Sequence, residues 1–215
     1  MGKVIAIDGP SGAGKSTVSQ LVAKRLGFQF LDTGALYRAA ALYLRQRSIV
    51  PESPDEDILR VIGDAVITLD GKSVFLNDED VSEAIRTTEA GHYASVFSAR
   101  KVVRDFLFQI QRDAAVSNDI VAEGRDMTTV VFPDAWKKFF LDASEEGRAK
   151  RRYLQLKEKG VEIAIEEAIR DIRERDVRDS SRDVAPLKRA DDAIYIDTTH
   201  VGLEEVVERI LLLVT

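Results

Sequence analysis

Residues 9–16 combine the residue types and spacing of a loop that binds phosphate. The segment Gly9-Pro10-Ser11-Gly12-Ala13-Gly14-Lys15-Ser16 fits the P-loop pattern G-x-x-x-x-G-K-[S/T]. Glycines allow the backbone to curl so that its N–H groups point at phosphate oxygens. Lys15 can reach the outer phosphates, and the Ser16 hydroxyl can bind Mg²⁺. The pattern predicts a triphosphate site made by Gly9, Pro10, Ser11, Gly12, Ala13, Gly14, Lys15, Ser16 and Thr17.

The segments on either side of this loop support the functional interpretation. The apolar run 4–7 is typical of a strand buried in a parallel sheet. Apolar residues recur at helical spacing over 15–26, and Gly27 is a suitable C-terminal stop. A helix that begins at the loop directs its N-terminal dipole at the anion. A glycine-rich turn with a chance Lys-Ser pair would not require this order of strand, loop and helix.

Arginine is concentrated in a second region, within residues 148–182. On a helix, Arg175, Arg178 and Arg182 would share a face, because they recur at three- and four-residue spacing. The planar guanidinium binds phosphate oxygens bidentately and stays charged. Acidic neighbours such as Glu166 and Glu167 are equally typical of a solvated helix with Glu–Arg pairs. The charge pattern alone favours that alternative.

Two polar segments follow predicted strands and favour an anion site. The segment 32–38, Asp-Thr-Gly-Ala-Leu-Tyr-Arg, follows a strand at 28–31, and Glu123-Gly124-Arg125-Asp126 follows a strand at 119–123. Open α/β sheets place ligands at the carboxyl ends of their strands. Arg and Asp avoid cores unless they are paired, so a salt bridge between Arg125 and Asp126 is the alternative. Two phosphate sites indicate phosphoryl transfer, which requires alignment and charge neutralisation more than a general base.

The remaining sequence predicts an alternating α/β fold with an insertion. Further helices are expected at 34–47, 55–62, 99–116, 144–159, 162–177 and 203–214, and strands at 137–141 and 193–196. Asp70-Gly71 predicts a hairpin between strands 65–69 and 74–76. We expect a single domain over 1–215, with an insertion near 63–98 and charged helices with a lid near 148–182.

Composition limits the partners that the chain is expected to have. The 215 residues carry a formal net charge of −6, whereas non-specific nucleic-acid binding normally requires a basic balance. No apolar run approaches the roughly 18 residues of a membrane span. The chain has no cysteine, which excludes disulfides and thiolate metal sites and fits a reducing compartment. We expect a cytoplasmic monomer whose partners are small molecules, with His92 and His200 structural or exposed.

Whole motifs of the chain resemble those of bacterial-type cytidylate kinases, which are P-loop nucleoside monophosphate kinases. The motifs are GPSGAGKST, LDTGALYR, AEGRD, VVFPDA, FFLDAS and ERDVRDSSRDVAPL, and they cover nearly the whole chain in order. The resemblance implies a central five-stranded parallel sheet with helices on both sides, a monophosphate-binding insertion and a helical lid. It also implies transfer of the γ-phosphate of ATP to CMP or dCMP with Mg²⁺.

The resemblance assigns expected roles to individual residues. Ser95, Arg104 and Asp126 fall where the family recognises the cytosine edge. Around the sugar and phosphate of the acceptor, the expected residues are Thr33, Tyr37, Arg38, Gly124, Arg125, Asp179 and Arg182. Arg175 and Arg178 of the lid region join Lys15 of the P-loop as catalytic candidates. The P-loop itself assigns Mg²⁺ to Ser16, and since the sequence has no standard Walker-B aspartate, Asp32 or Glu123 is the candidate to orient the ion through water. Thr128 departs from the pattern, which has glycine after the Arg-Asp-x segment.

Two alternatives to this function stay open at the level of sequence. One is another small P-loop kinase, acting on UMP, another monophosphate or a metabolite such as shikimate. The other is an ATP-binding module without turnover, which would not need a second phosphate site. A GTPase of the common type is disfavoured, because no Asn of the chain is followed by Lys to form its guanine-binding motif.

Overall fold

The computed structural model of the protein describes residues 2–71, 73–158 and 160–214. In chain order, the elements are β1 (Val4–Asp8), α1 (Lys15–Leu26), β2 (Gln29–Asp32), α2 (Thr33–Gln46), α3 (Asp55–Ile62), β3 (Ile67–Asp70), β4 (Ser73–Leu76), β5 (Glu79–Asp80), α4 (Thr88–Phe97), α5 (Lys101–Asp113), β6 (Ile120–Glu123), β7 (Lys137–Asp142), α6 (Glu145–Glu158), α7 (Ile165–Ser181), β8 (Ile194–Asp197) and α8 (Leu203–Val214). A 3₁₀ turn covers Ala84–Arg86, and a π-helical turn covers Met127–Val131.

The main sheet has five parallel strands in the order β2-β6-β1-β7-β8, which confirms the expected architecture. β1 lies at the centre and is buried along its whole length, which explains its unbroken apolar sequence. The register places Ile7 beside Glu123 and Asp32 beside Glu123. The carboxyl ends of β1, β2 and β6 therefore meet at one edge of the sheet.

Helices cover both faces of this sheet. Alternate residues of β1 belong to two separate apolar clusters, with Val4 and Ala6 in one and Ile5 and Ile7 in the other. The first cluster includes buried residues of α2, α3 and α5, and the second includes those of α1 and α8. Within the described ranges, every helix is too short or too polar to span a lipid bilayer.

Local sequence signals predict most of these elements. Helices α1, α3 and α8 have the bounds that the sequence predicts. The β3–β4 hairpin is confirmed, although Asp70 belongs to the strand and pairs with Ser73, while Gly71 adopts the positive φ of +58°. Helix α7 begins later and ends later than predicted, at Ile165 and Ser181. The predicted end of the preceding helix, residue 159, lies outside the described residues.

Two elements within residues 63–98, β5 and α4, were not predicted. β5 consists of two exposed acidic residues, which lack the apolar alternation of a strand. Helix α4 contains Gly91 and several small residues, and its buried positions are Ala94, Ser95 and Phe97. The helix packs mainly on α2 and closes the side of the cluster that contains Phe97. Its stability therefore depends on tertiary packing more than on helix propensity.

Gly9 marks the point where β1 turns into the predicted phosphate loop. Its φ of +148° disfavours a side chain, and a Cβ there would lie 1.9 Å from the carbonyl oxygen of Leu141. That atom belongs to the adjacent strand β7, whose backbone is fixed by sheet pairing on both sides. The loop therefore leaves the sheet through a gap that only glycine fits.

Replacing Gly9 with alanine is expected to lower the free energy of unfolding by about 3 kcal/mol or more, because a backbone clash adds to conformational strain. Gly202→Ala is the matched control, since a Cβ there meets no atom within 4 Å. Urea denaturation of both variants measures the difference. Equal stability of the two variants would contradict the role assigned to Gly9.

Candidate active site

The loop between β1 and α1 is curled and held from within. Gly12 and Gly14 have φ values of +79° and +89°, and Gly14 precedes the first residue of α1. The Lys15 side chain is buried, and its Nζ donates to the Pro10 carbonyl at 2.7 Å. The Ser16 hydroxyl donates to Oε1 of Glu123 at 2.5 Å. Ser16 thus ties the P-loop to the carboxyl end of β6, while Lys15 bonds back to the loop itself.

Two arginines of α6 support the outer side of the loop. Arg148 donates to the Ser11 carbonyl at 3.1 Å and forms an ion pair with Asp176 of α7 at 2.6 Å. Arg151 donates to the Gly12 carbonyl at 3.4 Å. The sequence showed these arginines only as part of a charge run, because the loop carbonyls to which they donate lie more than a hundred residues away. Their contacts with the Ser11 and Gly12 carbonyls tie the loop to α6.

A cavity of about 680 Å³ opens in front of the P-loop. Of the predicted triphosphate site, the residues that line it are Ser11, Gly12, Gly14, Lys15, Ser16 and Thr17. The predicted acceptor residues line it as a complete set: Thr33, Tyr37, Arg38, Ser95, Arg104, Gly124, Arg125, Asp126, Asp179 and Arg182. Gly9, Pro10 and Ala13 are absent from the lining. Both expected sites therefore share one cavity.

Buried ion pairs join the elements around this cavity. Arg104 of α5 pairs with Asp126, and both side chains are buried. Arg182 lies 3.9 Å from Asp126, and Arg125 donates to Asp179 at 2.7 Å. Arg125 and Asp126 are therefore paired with residues of other segments and not with each other. The pairs hold the segment after β6 against α5 and the end of α7.

Some polar atoms of the cavity have no partner among the described residues. The Ser95 hydroxyl is buried and makes no hydrogen bond, and the same holds for Nε of Arg175. Both residues line the cavity. Buried donors are nearly always satisfied in folded proteins, so unsatisfied donors on two residues that line a cavity fit a site for a polar ligand. The position of Ser95 on α4 was the part of the site with the weakest local signal in the sequence.

Burial shifts the pKa values of the two groups nearest the phosphate loop. Desolvation, with repulsion from Arg125 second, lowers the pKa of Lys15 to about 7. Desolvation and the nearby Asp32 raise the pKa of Glu123 above its usual range. A polyphosphate beside Lys15 would favour the ammonium form, because opposite charges stabilise each other strongly where water is excluded.

The acidic groups divide into one that caps a helix and one that contacts the P-loop. Asp32 accepts from the backbone N–H of Ala35 at 2.8 Å and pairs with Arg38 at 3.2 Å. Glu123 instead contacts Ser16. Within the described ranges, no three His, Cys, Asp or Glu side chains form a cluster that could hold a metal. Hydroxyl and carboxylate oxygens of Ser16 and Glu123 suit Mg²⁺, which takes few protein ligands when substrate phosphates supply others.

The expected common face of Arg175, Arg178 and Arg182 is wrong. Arg182 follows the end of α7 and has an extended backbone, with φ −67° and ψ 143°. Arg178 lines a second cavity of about 370 Å³ between α4 and α7, together with His92 and Tyr93, and is absent from the lining of the main cavity. Arg175 lines both cavities. Helical spacing alone could not reveal where the helix ends or which side faces the P-loop.

Sequence reasoning missed several other residues of the main cavity. Those with polar side chains are Gln20, Arg86, Thr87, Thr88, Ser98, Arg151, Arg152, Gln155 and Glu158. They lie within residues 86–98, where the sequence predicted no element, or on charged helices whose exposed faces look alike in sequence. The exception is Gln20, which lies four residues after Ser16 on α1 and hence on the same face of that helix.

This fold and this site define a P-loop kinase: a five-stranded parallel sheet, a curled phosphate loop and a second polar site in the same cavity. The profile described as "Cytidylate kinase" matches residues 5–215. The chain belongs to the cytidylate kinase family.

Relatives with that name cover almost the whole chain. A cytidylate kinase of Thermodesulfovibrio yellowstonii is 56% identical over 218 residues, covering 98% of this chain and 97% of the relative. One of Thermosipho melanesiensis is 53% identical, with coverage of 96% and 94%. A solved structure of an uncharacterized protein from Eubacterium ventriosum has a TM-score of 0.56 at 14% identity and covers 99% of this chain and 98% of its own. That likeness concerns the fold alone.

Asp126→Ala is expected to lower the free energy of unfolding by about 3–5 kcal/mol, because it leaves the buried Arg104 without its carboxylate. Asp105→Ala is the matched control, since Asp105 pairs with Lys101 at the exposed surface and its loss is expected to cost less than about 1 kcal/mol. Urea denaturation compares the two. A cost for Asp126→Ala as small as that of the control would contradict the importance of the buried pair.

Proposed function

We propose that the protein transfers the γ-phosphate of ATP to CMP or dCMP, forming ADP and CDP or dCDP. The observation that carries this proposal is a single cavity with the P-loop on one wall and Ser95, Arg104 and Asp126 on another. Membership of the cytidylate kinase family supports it. The cavity offers cations for two sets of phosphates and a buried polar set for a base.

The donor would bind at the P-loop. Backbone N–H groups of the loop and the N-terminus of α1 attract its phosphates. Lys15 is positioned by the Pro10 carbonyl at the base of the same cavity. Arg175 lines the cavity with an unsatisfied Nε, and we assign the charge-neutralising role to Lys15 and Arg175. Arg178 is not included, because it lines the second cavity.

The acceptor phosphate would lie among Arg38, Arg125 and Arg182, with Asp179 near the sugar. Arg125 is already oriented by Asp179, so its remaining N–H groups are held in a fixed direction. A monophosphate attacks with an oxygen that is already anionic. The protein therefore has to align two anions and reduce their repulsion, and no general base is required.

The base would be recognised by Ser95, Arg104 and Asp126. A carboxylate only accepts hydrogen bonds and a guanidinium only donates them. Cytosine offers an amino donor beside ring acceptors, whereas uracil presents a carbonyl oxygen where cytosine has its amino group. Uracil would therefore face the Asp126 carboxylate without a donor, and an unpaired buried polar group is a strong source of discrimination.

Magnesium fits the oxygen groups of Ser16 and Glu123, and we propose that these two residues hold it, directly or through water. The ion would reduce the negative charge of the donor phosphates. The hydrogen bond from Ser16 to Glu123 keeps both oxygen groups at the P-loop side of the cavity. Asp32 is less suitable, because its two oxygens are engaged by Ala35 and Arg38.

We further propose that residues 63–98 form the monophosphate-binding insertion and residues 148–182 the charged helices and lid. The insertion contributes Ser95, and the lid region contributes Arg175, Asp179 and Arg182 to the cavity. The proposed reaction assigns no role to a second copy of the chain, and a monomer stays our prediction. An ATP-consuming nucleotide kinase would act in the cytoplasm, where its substrates are present.

ADP release in a coupled assay with ATP and Mg²⁺ tests the reaction, with CMP, dCMP, UMP, AMP and GMP offered in parallel. We expect rapid turnover with CMP and dCMP and little with the other three. Lys15→Met should abolish turnover while the protein stays folded by circular dichroism. Preferred turnover of another monophosphate, or release of ADP independent of any acceptor, would overturn the proposal.

Ser95→Ala is expected to raise the KM for CMP by roughly 5–10-fold, which corresponds to one lost hydrogen bond, and to leave the KM for ATP unchanged. The thermal midpoint should not change, because the hydroxyl has no partner in the protein to lose. Ser19→Ala is the matched control: its hydroxyl is also buried and unpartnered but lies outside the cavity lining. A rise in the KM for both nucleotides would argue against base recognition by Ser95.

A further inference from the structure

Asp8 is a buried carboxylate to which the proposed reaction assigns no role. It is the last residue of β1, is fully inaccessible to solvent and directly precedes the P-loop. Its oxygens accept three hydrogen bonds from the π-helical turn. Oδ1 accepts from the Met127 N–H at 2.9 Å, and Oδ2 accepts from the Thr128 N–H at 2.7 Å and the Thr128 hydroxyl at 2.6 Å.

Burial makes the charged form of Asp8 costly. Desolvation raises the pKa of Asp8 to about 6, although its hydrogen bonds with Thr128 and Met127 oppose the rise. Both oxygens accept hydrogen bonds from N–H or O–H donors, and these bonds favour the ionised carboxylate. A buried charge is weak evidence that a residue serves only to stabilise the fold. The hydrogen bonds of Asp8 show which segment this residue holds in place.

The segment between β6 and the turn is fixed to β1 at both ends. At one end, the Gly124 N–H donates to the Ile7 carbonyl at 3.1 Å. At the other end, Asp8 holds the residues that directly follow Asp126. Arg125 and Asp126 lie between these two attachments, one carrying the pair with Asp179 and the other the pair with Arg104. The strand that leads into the P-loop therefore also sets the position of both acceptor residues.

Thr128 forms a side-chain hydrogen bond that glycine, the residue expected here from the family resemblance, could not form. Where that pattern has glycine, the Thr128 side chain is buried and donates its hydroxyl to Asp8. A glycine would retain only the backbone bond. The hydroxyl therefore adds a third donor to the carboxylate and restrains the turn that begins after Asp126.

We propose that Asp8 and Thr128 are positioning residues, which fix Arg125 and Asp126 relative to the P-loop and thereby strengthen binding of the acceptor monophosphate. Neither residue touches the substrates in this proposal, since neither lines the cavity. The inference rests on the proposed function, in that Arg125 and Asp126 are taken to contact CMP.

Thr128→Val removes the hydroxyl at nearly constant volume and is expected to raise the KM for CMP by roughly 5–10-fold, with the KM for ATP within about twofold. Thr128→Ser keeps the hydroxyl and should restore the KM for CMP to near its original value. Thr129→Val is the matched control, because the neighbouring hydroxyl of Thr129 is buried but has no hydrogen-bond partner. It should leave both KM values unchanged.

A purely structural role would lower the thermal midpoint of Thr128→Val without changing the ratio of the two KM values, and this result would overturn the inference. If Thr128→Val does not fold, Thr128→Gly supplies the same loss of the hydroxyl, and an unchanged ratio there would be equally decisive. Failure of the proposed function is distinguished by the unmodified protein, which would then show no turnover of CMP. In that case, calorimetry compares the affinity for CMP of the unmodified protein with that of Thr128→Val. The inference requires weaker binding by Thr128→Val. Equal affinity, or no binding by either protein, would overturn it.

Discussion

The parallel pairing of β1 with β6 is the constraint on which the site depends. It places Ile7 beside Glu123, so that the P-loop and the segment Gly124–Asp126 leave the sheet side by side. Because parallel strands present their carboxyl ends at the same edge of the sheet, the P-loop and the segment after β6 become neighbours as soon as the two strands pair. Gly9 makes this exit possible, since the Leu141 carbonyl leaves no room for a side chain.

The second requirement is a concentration of positive charge inside an acidic protein. Lys15, Arg104, Arg125, Arg175 and Arg182 all line one cavity. Buried carboxylates offset part of this charge, with Asp126 near two of these arginines and Asp179 bonded to Arg125. The same pairs connect α5, the segment after β6 and α7. The arrangement that prepares the site for anions therefore also determines how the surrounding elements pack.

Much of the fold and part of the site follow from local sequence. The P-loop could be predicted because its glycines, Lys15 and Ser16 are contiguous and lie between a strand and a helix. Helix α4 could not be predicted, since its buried face includes Ala94 and Ser95 and it is stabilised by packing on α2. Ser95 was predicted only through resemblance, because a single serine carries no periodic signal. Its unpaired hydroxyl becomes visible only in three dimensions.

The charge assignments show a different limit. Arginine spacing predicted a shared helical face, but Arg182 lies beyond α7 and Arg178 lines the second cavity. The spacing of residues determines which way their side chains point only as long as the helix continues. The sequence has no clear signal that α7 ends near Ser181. The partners of Arg148 and Arg125 lie far along the chain, so only folding reveals that one supports the P-loop and the other pairs with Asp179.

The contrast between the acidic exterior and the cationic cavity has a consequence for association kinetics. At long range, a formal charge of −6 repels an approaching nucleotide. Salt at about 0.1 M confines that repulsion to roughly 10 Å, whereas the buried cations are screened much less. Moderate ionic strength therefore removes the barrier to encounter and leaves the local attraction largely intact. The protein is therefore suited to bind its anionic substrates at an ionic strength of about 0.1 M or more. A uniformly basic surface would lose most of its long-range attraction for nucleotides under the same conditions.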